Sequence, residues 1–209
     1  RGTMGEETTL FLIDGSAYIP SASHAIRGLA NSRGMPTNAV FGFTRMLLKL
    51  IDERAPSYAV MLFDAKGPTF RHERYPEYKA NRPPMPQDLA VQIPLIKEVT
   101  RAFNIPVIEK SGYEADDLIG TLAEKAEASG FDVVMVTGDK DFIQLVSEQA
   151  AIWDPMKDET LDLPAVRAKF EIEPRQMIEV MGLCGDVSDN IPGVPGIGQK
   201  TALALIKTY

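Results

Sequence analysis

Hydrophobic positions along this chain fall into short unbroken runs, separated by longer stretches where they recur every three or four residues. Leu10-Phe11-Leu12-Ile13 runs into Asp14-Gly15, and Tyr58-Ala59-Val60-Met61-Leu62-Phe63 runs into Asp64. Asp132-Val133-Val134-Met135-Val136-Thr137 is followed by Gly138-Asp139. Runs this short, β-rich and closed by Gly or Asp predict strands buried on both faces. Residues 37–53 (with Phe41, Met46, Leu47 and Leu50 apolar), 86–103 and 114–129 carry the helical period instead. Strands alternating with helices predict βαβ units and an open α/β fold whose sheet is mostly parallel and flanked by helices.

Two segments break the alternation. Residues 66–86 are rich in Arg, Lys, Tyr and Pro and have no clean period. They are too polar for core and long for a plain connection, which predicts a functional loop. From Leu163 the chain turns helical, then passes through Asn190-Ile191-Pro192-Gly193-Val194-Pro195-Gly196-Ile197-Gly198 into a last helix. The expected division is a core over residues 6–170 and a helical region over 171–209. Residues 1–5 read as a vector-derived extension rather than fold.

The chemistry lies in the acids. All three strands end on one: Asp14, Asp64 and Asp139. In open α/β sheets the carboxyl ends of the strands line the ligand crevice. Asp141 follows Asp139 by two residues, and Glu114, Asp116 and Asp117 open a helix. Asp186 and Asp189 form a further pair in a loop. Magnesium and manganese prefer hard oxygen ligands, and two such ions can hold an attacking water and a leaving oxygen in line. That site needs carboxylates from separated segments, as here. The competing reading is local: an Asp after a strand caps the next helix, and acids favour helix N-termini. No nucleophile motif and no Walker-type loop is present, and His24 and His72 have no metal-ligand spacing. Trp153 reads as core or surface filler.

Arg71, Tyr75, Tyr78, Lys79 and Arg82 place cations beside aromatics, a combination that holds phosphates while stacking unpaired bases. A solvated loop is the alternative. Lys79 and Arg82, three apart, would face one phosphate if the segment were helical. Gly193, Gly196, Ile197 and Gly198 lead into Gln199, Lys200 and Thr201, where glycines permit close backbone approach and fresh helix amides point at an anion. A helix-hairpin-helix grips a DNA phosphate this way without reading sequence; an ordinary helix–helix connection would look similar.

The net charge of −7 argues at first against a nucleic-acid partner. Setting aside the nine site acids from the 29 leaves 20 acids against 22 bases, so the charge decides nothing. Cys184 stands alone, which excludes an internal disulfide and fits a reducing compartment. No apolar stretch is long enough to span a membrane, and no secretory leader is evident.

These residues together resemble the 5′ nuclease (flap endonuclease, 5′-3′ exonuclease) domain of bacterial DNA polymerase I. The likeness rests on Leu12-Ile13-Asp14-Gly15-Ser16, Phe63-Asp64-Ala65-Lys66, Tyr78-Lys79-Ala80-Asn81-Arg82, Gly112-Tyr113-Glu114-Ala115-Asp116-Asp117, Thr137-Gly138-Asp139-Lys140-Asp141 and Gly185-Asp186 through Gly198, all in family order. The resemblance implies a Rossmann-like (PIN-like) core and a C-terminal helix-hairpin-helix-type DNA-binding region. It implies two groups of magnesium- or manganese-binding acids. Asp14, Asp64, Glu114 and Asp116 form the first, and Asp117, Asp139, Asp141, Asp186 and Asp189 the second. It implies that 66–86 arches over a threaded single strand, with Lys79 and Arg82 acting on the scissile phosphate. It also implies a potassium ion held by backbone carbonyls at Leu183, Cys184, Pro192, Val194 and Ile197. The expected partner is DNA with a 5′ flap, nick or single-stranded 5′ end, cut by two-metal catalysis as in primer removal during replication and repair. The protein is expected to be monomeric, cytoplasmic and nucleoid-associated in a bacterium, with a polymerase domain in the parent chain.

Two departures stand out. Ser21 occupies a first-helix position where the family carries Arg, and Pro20 beside it is expected to disturb that helix. The chain also ends at Tyr209, where family members continue, so a fragment is expected. Two rival readings remain: a PIN-like ribonuclease with a similar acidic cluster, and a DNA-binding module without catalysis.

Overall fold

The structure is a computed structural model that describes residues 8–25 and 28–209; residues 1–5, read above as an extension, lie outside it. Six strands form one sheet: β1 (Thr9–Asp14), β2 (Tyr58–Leu62), β3 (Val107–Ile108), β4 (Asp132–Val136), β5 (Ala150–Asp154) and β6 (Glu159–Leu161). Their spatial order is β3-β2-β1-β4-β5-β6, parallel throughout except for β6, which returns antiparallel beside β5. The order reverses direction between β1 and β4. In such a sheet the connections leaving these two strands go to opposite faces, opening a crevice at their carboxyl ends.

Period-two alternation divides the sheet between two cores. Phe11, Ile13, Met61, Val134 and Val136 pack on one side with helices α1 (Gly15–Ala25), α2 (Asn38–Arg54) and the segment leading into β3. Leu12, Leu62, Val133 and Met135 pack on the other, against Ile119 and Ala123 of the helix Ala115–Ala128 and Val180 of the helix Met177–Cys184. Both faces being covered explains why the strands read as unbroken apolar runs. Where α1 crosses α2, Gly42 lies so close to Ala22 that a Cβ would sit 2.5 Å from its carbonyl oxygen.

The three strands and the helices at 37–53 and 114–129 match their sequence patterns within a residue or two. The pattern at 86–103 divides into a short helix and a longer one, Gln87–Ala90 and Ile93–Ala102. The break is held by buried Gln92, whose side chain accepts from the Ala39 N–H at 2.9 Å and donates to the Asp88 carbonyl at 2.7 Å. Pro20 does not stop α1, which runs through it to Ala25. The N–H that proline removes would have reached back only to Ser16, in the first turn, so a single bond is forfeited.

Candidate active site

Asp14 closes β1 and is almost fully buried, its carboxylate accepting from the Ala17 N–H and the Thr137 hydroxyl, both at 3.0 Å. Asp64 follows β2; the Ser16 hydroxyl receives its N–H at 2.8 Å, and its carboxylate accepts from the Ala115 N–H at 2.7 Å. Glu114 and Asp117 bracket the first turn of the Ala115–Ala128 helix, with the Glu114 N–H donating to Asp117 at 2.9 Å. Asp139 follows β4 and caps a 3₁₀ turn (Lys140–Leu145), accepting the Asp141 N–H at 2.9 Å. Asp186 and Asp189 sit on a loop pinched by a small antiparallel pair, Gly185–Asp186 with Ile191–Pro192. There Asp186 accepts the N–H groups of Ser188 and Asp189. Local capping and a shared site are compatible: Asp139 and Asp186 finish turns and also line a common crevice.

Their electrostatics are those of like charges crowded together. Burial pushes the Asp14 carboxyl up to about 6, against the pull of the Ala17 and Thr137 hydrogen bonds, and Asp64 and Asp139 push the same way. Asp116 rises to about 8, through burial first and then through Asp14, Asp139, Asp64 and Glu114. Asp141 rises to about 7 through burial, then Asp139, Asp186 and Asp189, with Lys79 opposing. Asp139 thus acts on both groups of acids and joins them into one field. Among the described residues no three His, Cys, Asp or Glu side chains stand close enough to grip one metal ion as arranged. The donor set still fits a hard divalent cation: every candidate is a carboxylate, and burial first, then the neighbouring acids, raise three of them above the usual carboxylate range.

The segment 66–86 is not a free loop. Tyr75 donates to the Asn190 carbonyl at 3.1 Å, Asn190 donates to the Glu77 carbonyl at 2.7 Å, and the Lys79 N–H donates to the Asp189 carbonyl at 2.9 Å. Asn81 and Arg82 bind the carbonyls of Val187 and Ser188. Two expectations change as a result. Tyr78 is buried at 4% exposure, with its hydroxyl between Glu114 (3.0 Å) and Asp189 (2.9 Å), so its ring is not open to a base. Arg71 forks onto Asp117 through two bonds of 2.8 Å and orients that acid instead of meeting a phosphate. Burial pushes the Asp117 carboxyl up, but this pairing and the Glu114 N–H outweigh it and hold Asp117 below its ordinary value. Lys79 and Arg82 converge without a helix: Lys79 lies 2.9 Å from Glu114 and 3.8 Å from Asp189, and Arg82 lies 2.6 Å from Asp189.

A crevice of roughly 780 Å³ runs from Asp139, Asp141 and Asp186 to Gly198 and Gln199, with Ser21 on its wall. At its far end the last helix, Gln199–Thr208, begins with Gly198 as its cap. The first intrahelical bond there is Ala202 to Gly198, leaving the amides of Gln199, Lys200 and Thr201 for an outside acceptor. Gly196 has φ of +82°, and a Cβ on Gly193 would lie 2.3 Å from the Cys184 carbonyl carbon. Gly193→Ala is therefore expected to force the two backbones apart at a cost of about 1–3 kcal/mol and to weaken duplex DNA binding. Thermal melting and a binding titration check this, and a variant that melts with the wild type would refute the close-approach argument. Sequence reading missed Asp154, which ends β5 at 6% exposure and bonds Met156 and Lys157, because β5 itself went unread. It also missed Thr137 and Ser16, whose hydroxyls carry no signal until the strands are placed side by side.

Fold and site together define an α/β nuclease. Residues 9–171 match the 5′-3′ exonuclease N-terminal resolvase-like domain, and residues 172–209 match the 5′-3′ exonuclease C-terminal SAM fold. A 5′-3′ exonuclease of Aquifex aeolicus is 45% identical over 96% of this chain and 70% of its own length. DNA polymerase I of Bacillus subtilis is 42% identical over 99% of this chain, which spans only 24% of that protein. Among solved structures, the T5 5′-exonuclease with bound zinc superposes with a TM-score of 0.77 at 22% identity, covering 96% of this chain and 75% of that one. The catalytic core of Rad2 in complex with DNA gives 0.64 at 21% identity, covering 99% and 62%; both show the shared fold. The chain belongs to the 5′-3′ exonuclease family.

Proposed function

We propose that the chain hydrolyses phosphodiester bonds at 5′ ends or flaps of nicked and branched DNA, as in primer removal. The observation that carries this reading is the gathering of mutually repelling carboxylates at the β1–β4 switch point, joined by one crevice to the exposed amides of the last helix. Asp14, Asp64, Glu114 and Asp116 would hold one magnesium or manganese ion, and Asp117, Asp139, Asp141, Asp186 and Asp189 a second. Such ions, when bound, supply an activated water and neutralise charge on the leaving oxygen. Thr137, Ser16 and the Ala115 N–H fix the inner carboxylates. Arg71 restricts Asp117 to one orientation, which favours its acting beside the second group rather than at its centre. Lys79 and Arg82, which here pair with Glu114 and Asp189, would turn to the scissile phosphate if those acids held a divalent ion.

The Gly193, Gly196, Ile197, Gly198, Gln199, Lys200 and Thr201 turn would anchor a duplex phosphate. The carbonyls of Leu183, Cys184, Pro192, Val194 and Ile197 would hold a potassium ion beneath it. Those of Leu183 and Val194 each receive one internal hydrogen bond and keep a second lone pair. The chain would act at the nucleoid of a bacterium, as a monomer or as part of a polymerase chain; the bacterial source of the curated relatives and the polymerase name of one of them support the organism class and the parent chain. Among the described residues no helix is long and apolar enough to cross a membrane. A 5′-labelled flapped duplex should be cut with Mg²⁺ and spared in EDTA. Preference for an RNA-only strand would instead favour a ribonuclease, and binding without any cleavage would sink the catalytic reading.

A further inference from the structure

Outside the acid cluster, one group of side chains has the chemistry of a ligand site, and two of its cations have no carboxylate partner among the described residues. The rings of Phe70 and Tyr113 lie 5.8 Å apart, tilted at 54°. The guanidinium groups of Arg71 and Arg74 lie 4.7 and 5.8 Å from the Phe70 centroid, and the Lys110 ammonium lies 4.9 Å from that of Tyr113. Arg71 is spoken for by Asp117. Arg74 and Lys110 face no carboxylate at ion-pair distance among the described residues, whereas Lys79 and Arg82 nearby are both paired. Glu109, next to Lys110 in sequence, is held by Lys97. Two uncompensated cations on aromatic faces, in a chain of net charge −7, mark a local anion site.

The ring of Tyr113 is 41% exposed, so it is not consumed in holding the fold together. Its backbone is fixed, with its N–H on the Lys110 carbonyl at 3.2 Å, and the Phe70 N–H donates to the Gly112 carbonyl at 3.1 Å. Tyr113 immediately precedes Glu114, and Arg71 links Phe70 to Asp117, so the rings lie one side chain away from the acids. An aromatic face beside free cations takes a nucleobase on the ring and its phosphate on the cations, without reading the base edge.

We infer that Phe70 and Tyr113, with Arg74 and Lys110, form a stacking platform for an unpaired nucleotide of the substrate's single-stranded 5′ arm. This inference rests on the nuclease reading above and assigns the path of the strand on the side of the acids away from the helix-hairpin turn. Ring and cations act as a unit: stacking buries the exposed face of Tyr113, and the phosphate takes the place of the missing carboxylates.

The test uses a flapped duplex with 2-aminopurine in its 5′ arm, titrated in EDTA against the same nicked duplex without an arm. Wild-type protein should quench the probe. Tyr113→Ala should abolish the quench and weaken binding of the flapped duplex by about tenfold, leaving the nicked duplex unchanged. Tyr113→Phe should behave as wild type, and Arg74→Gln with Lys110→Gln should weaken the flapped duplex alone. A quench that survives Tyr113→Ala at every arm position, or an equal loss on the nicked duplex, overturns the platform. If wild-type protein cuts the flapped duplex with Mg²⁺ while Tyr113→Ala binds it undiminished, only the platform falls. If wild-type protein neither binds nor cuts it, the nuclease reading falls first.

Discussion

Replacing Asp139 is expected to reduce metal-dependent cleavage on the order of a thousandfold while leaving duplex affinity nearly intact. Asp139 is the acid that pushes on both Asp14 and Asp116 on one side and on Asp141 on the other, so its loss opens both proposed ion sites. A bound metal contributes several kcal/mol of transition-state charge stabilisation, and each ~1.4 kcal/mol is a factor of ten in rate. Two variants separate chemistry from folding. Asp139→Ala also removes the cap that receives the Asp141 N–H, at a structural cost of about 1 kcal/mol. Asp139→Asn keeps that acceptor and removes only the charge. Both should lose cleavage alike, while only Ala should lower the melting temperature in EDTA. Single-turnover rates decide it: a variant within tenfold of wild type would show that the ions do not depend on Asp139.

The metal-free protein is expected to lose stability as pH rises from about 4 to about 8. The sign follows from Asp116, Asp141 and Asp14, whose pKa values in the folded protein are about 8, 7 and 6, against roughly 4 in the unfolded chain. Between those values the folded state binds more protons than the unfolded one, so each step up in pH favours unfolding. The penalty is absent below the unfolded pKa and complete above the folded one. On the proposed reading divalent ions bind the ionised carboxylates of the folded state, so Mg²⁺ or Mn²⁺ should raise the melting temperature by several degrees at pH ~8 and little at pH ~5. Asp116→Asn should reproduce part of that gain in EDTA by relieving the same repulsion. Melting curves across pH, with and without metal, check both. A metal-free protein equally stable across this range would mean that the acids are not crowded as described.

The site's acids repel one another, and several of them also serve a local structural purpose. Asp14 receives the Ala17 amide, Asp64 that of Ala115, and Asp139 that of Asp141. Capping and the proposed metal binding therefore do not compete as explanations for these residues.

The sequence by itself determined the parallel α/β core, because strands buried on both faces must be continuously apolar and each ended on a turn residue. It also singled out the acids as candidates, since three strand ends and three short acidic clusters carry them, while their grouping came from the family resemblance alone. It did not reveal β5 and β6, because Ala150–Asp154 follows a 3₁₀ turn without the helix that usually separates parallel strands. With β5 went Asp154. Nor could it show that Tyr78 is buried between Glu114 and Asp189, or that Arg71 forks onto Asp117 across 46 positions. Cations and aromatics in a polar segment read alike whether they meet solvent, DNA or a carboxylate. Only the tertiary structure chose among these, by laying 66–86 across the 186–190 loop, where long-range pairing, invisible to any local period, fixed each side chain's partner.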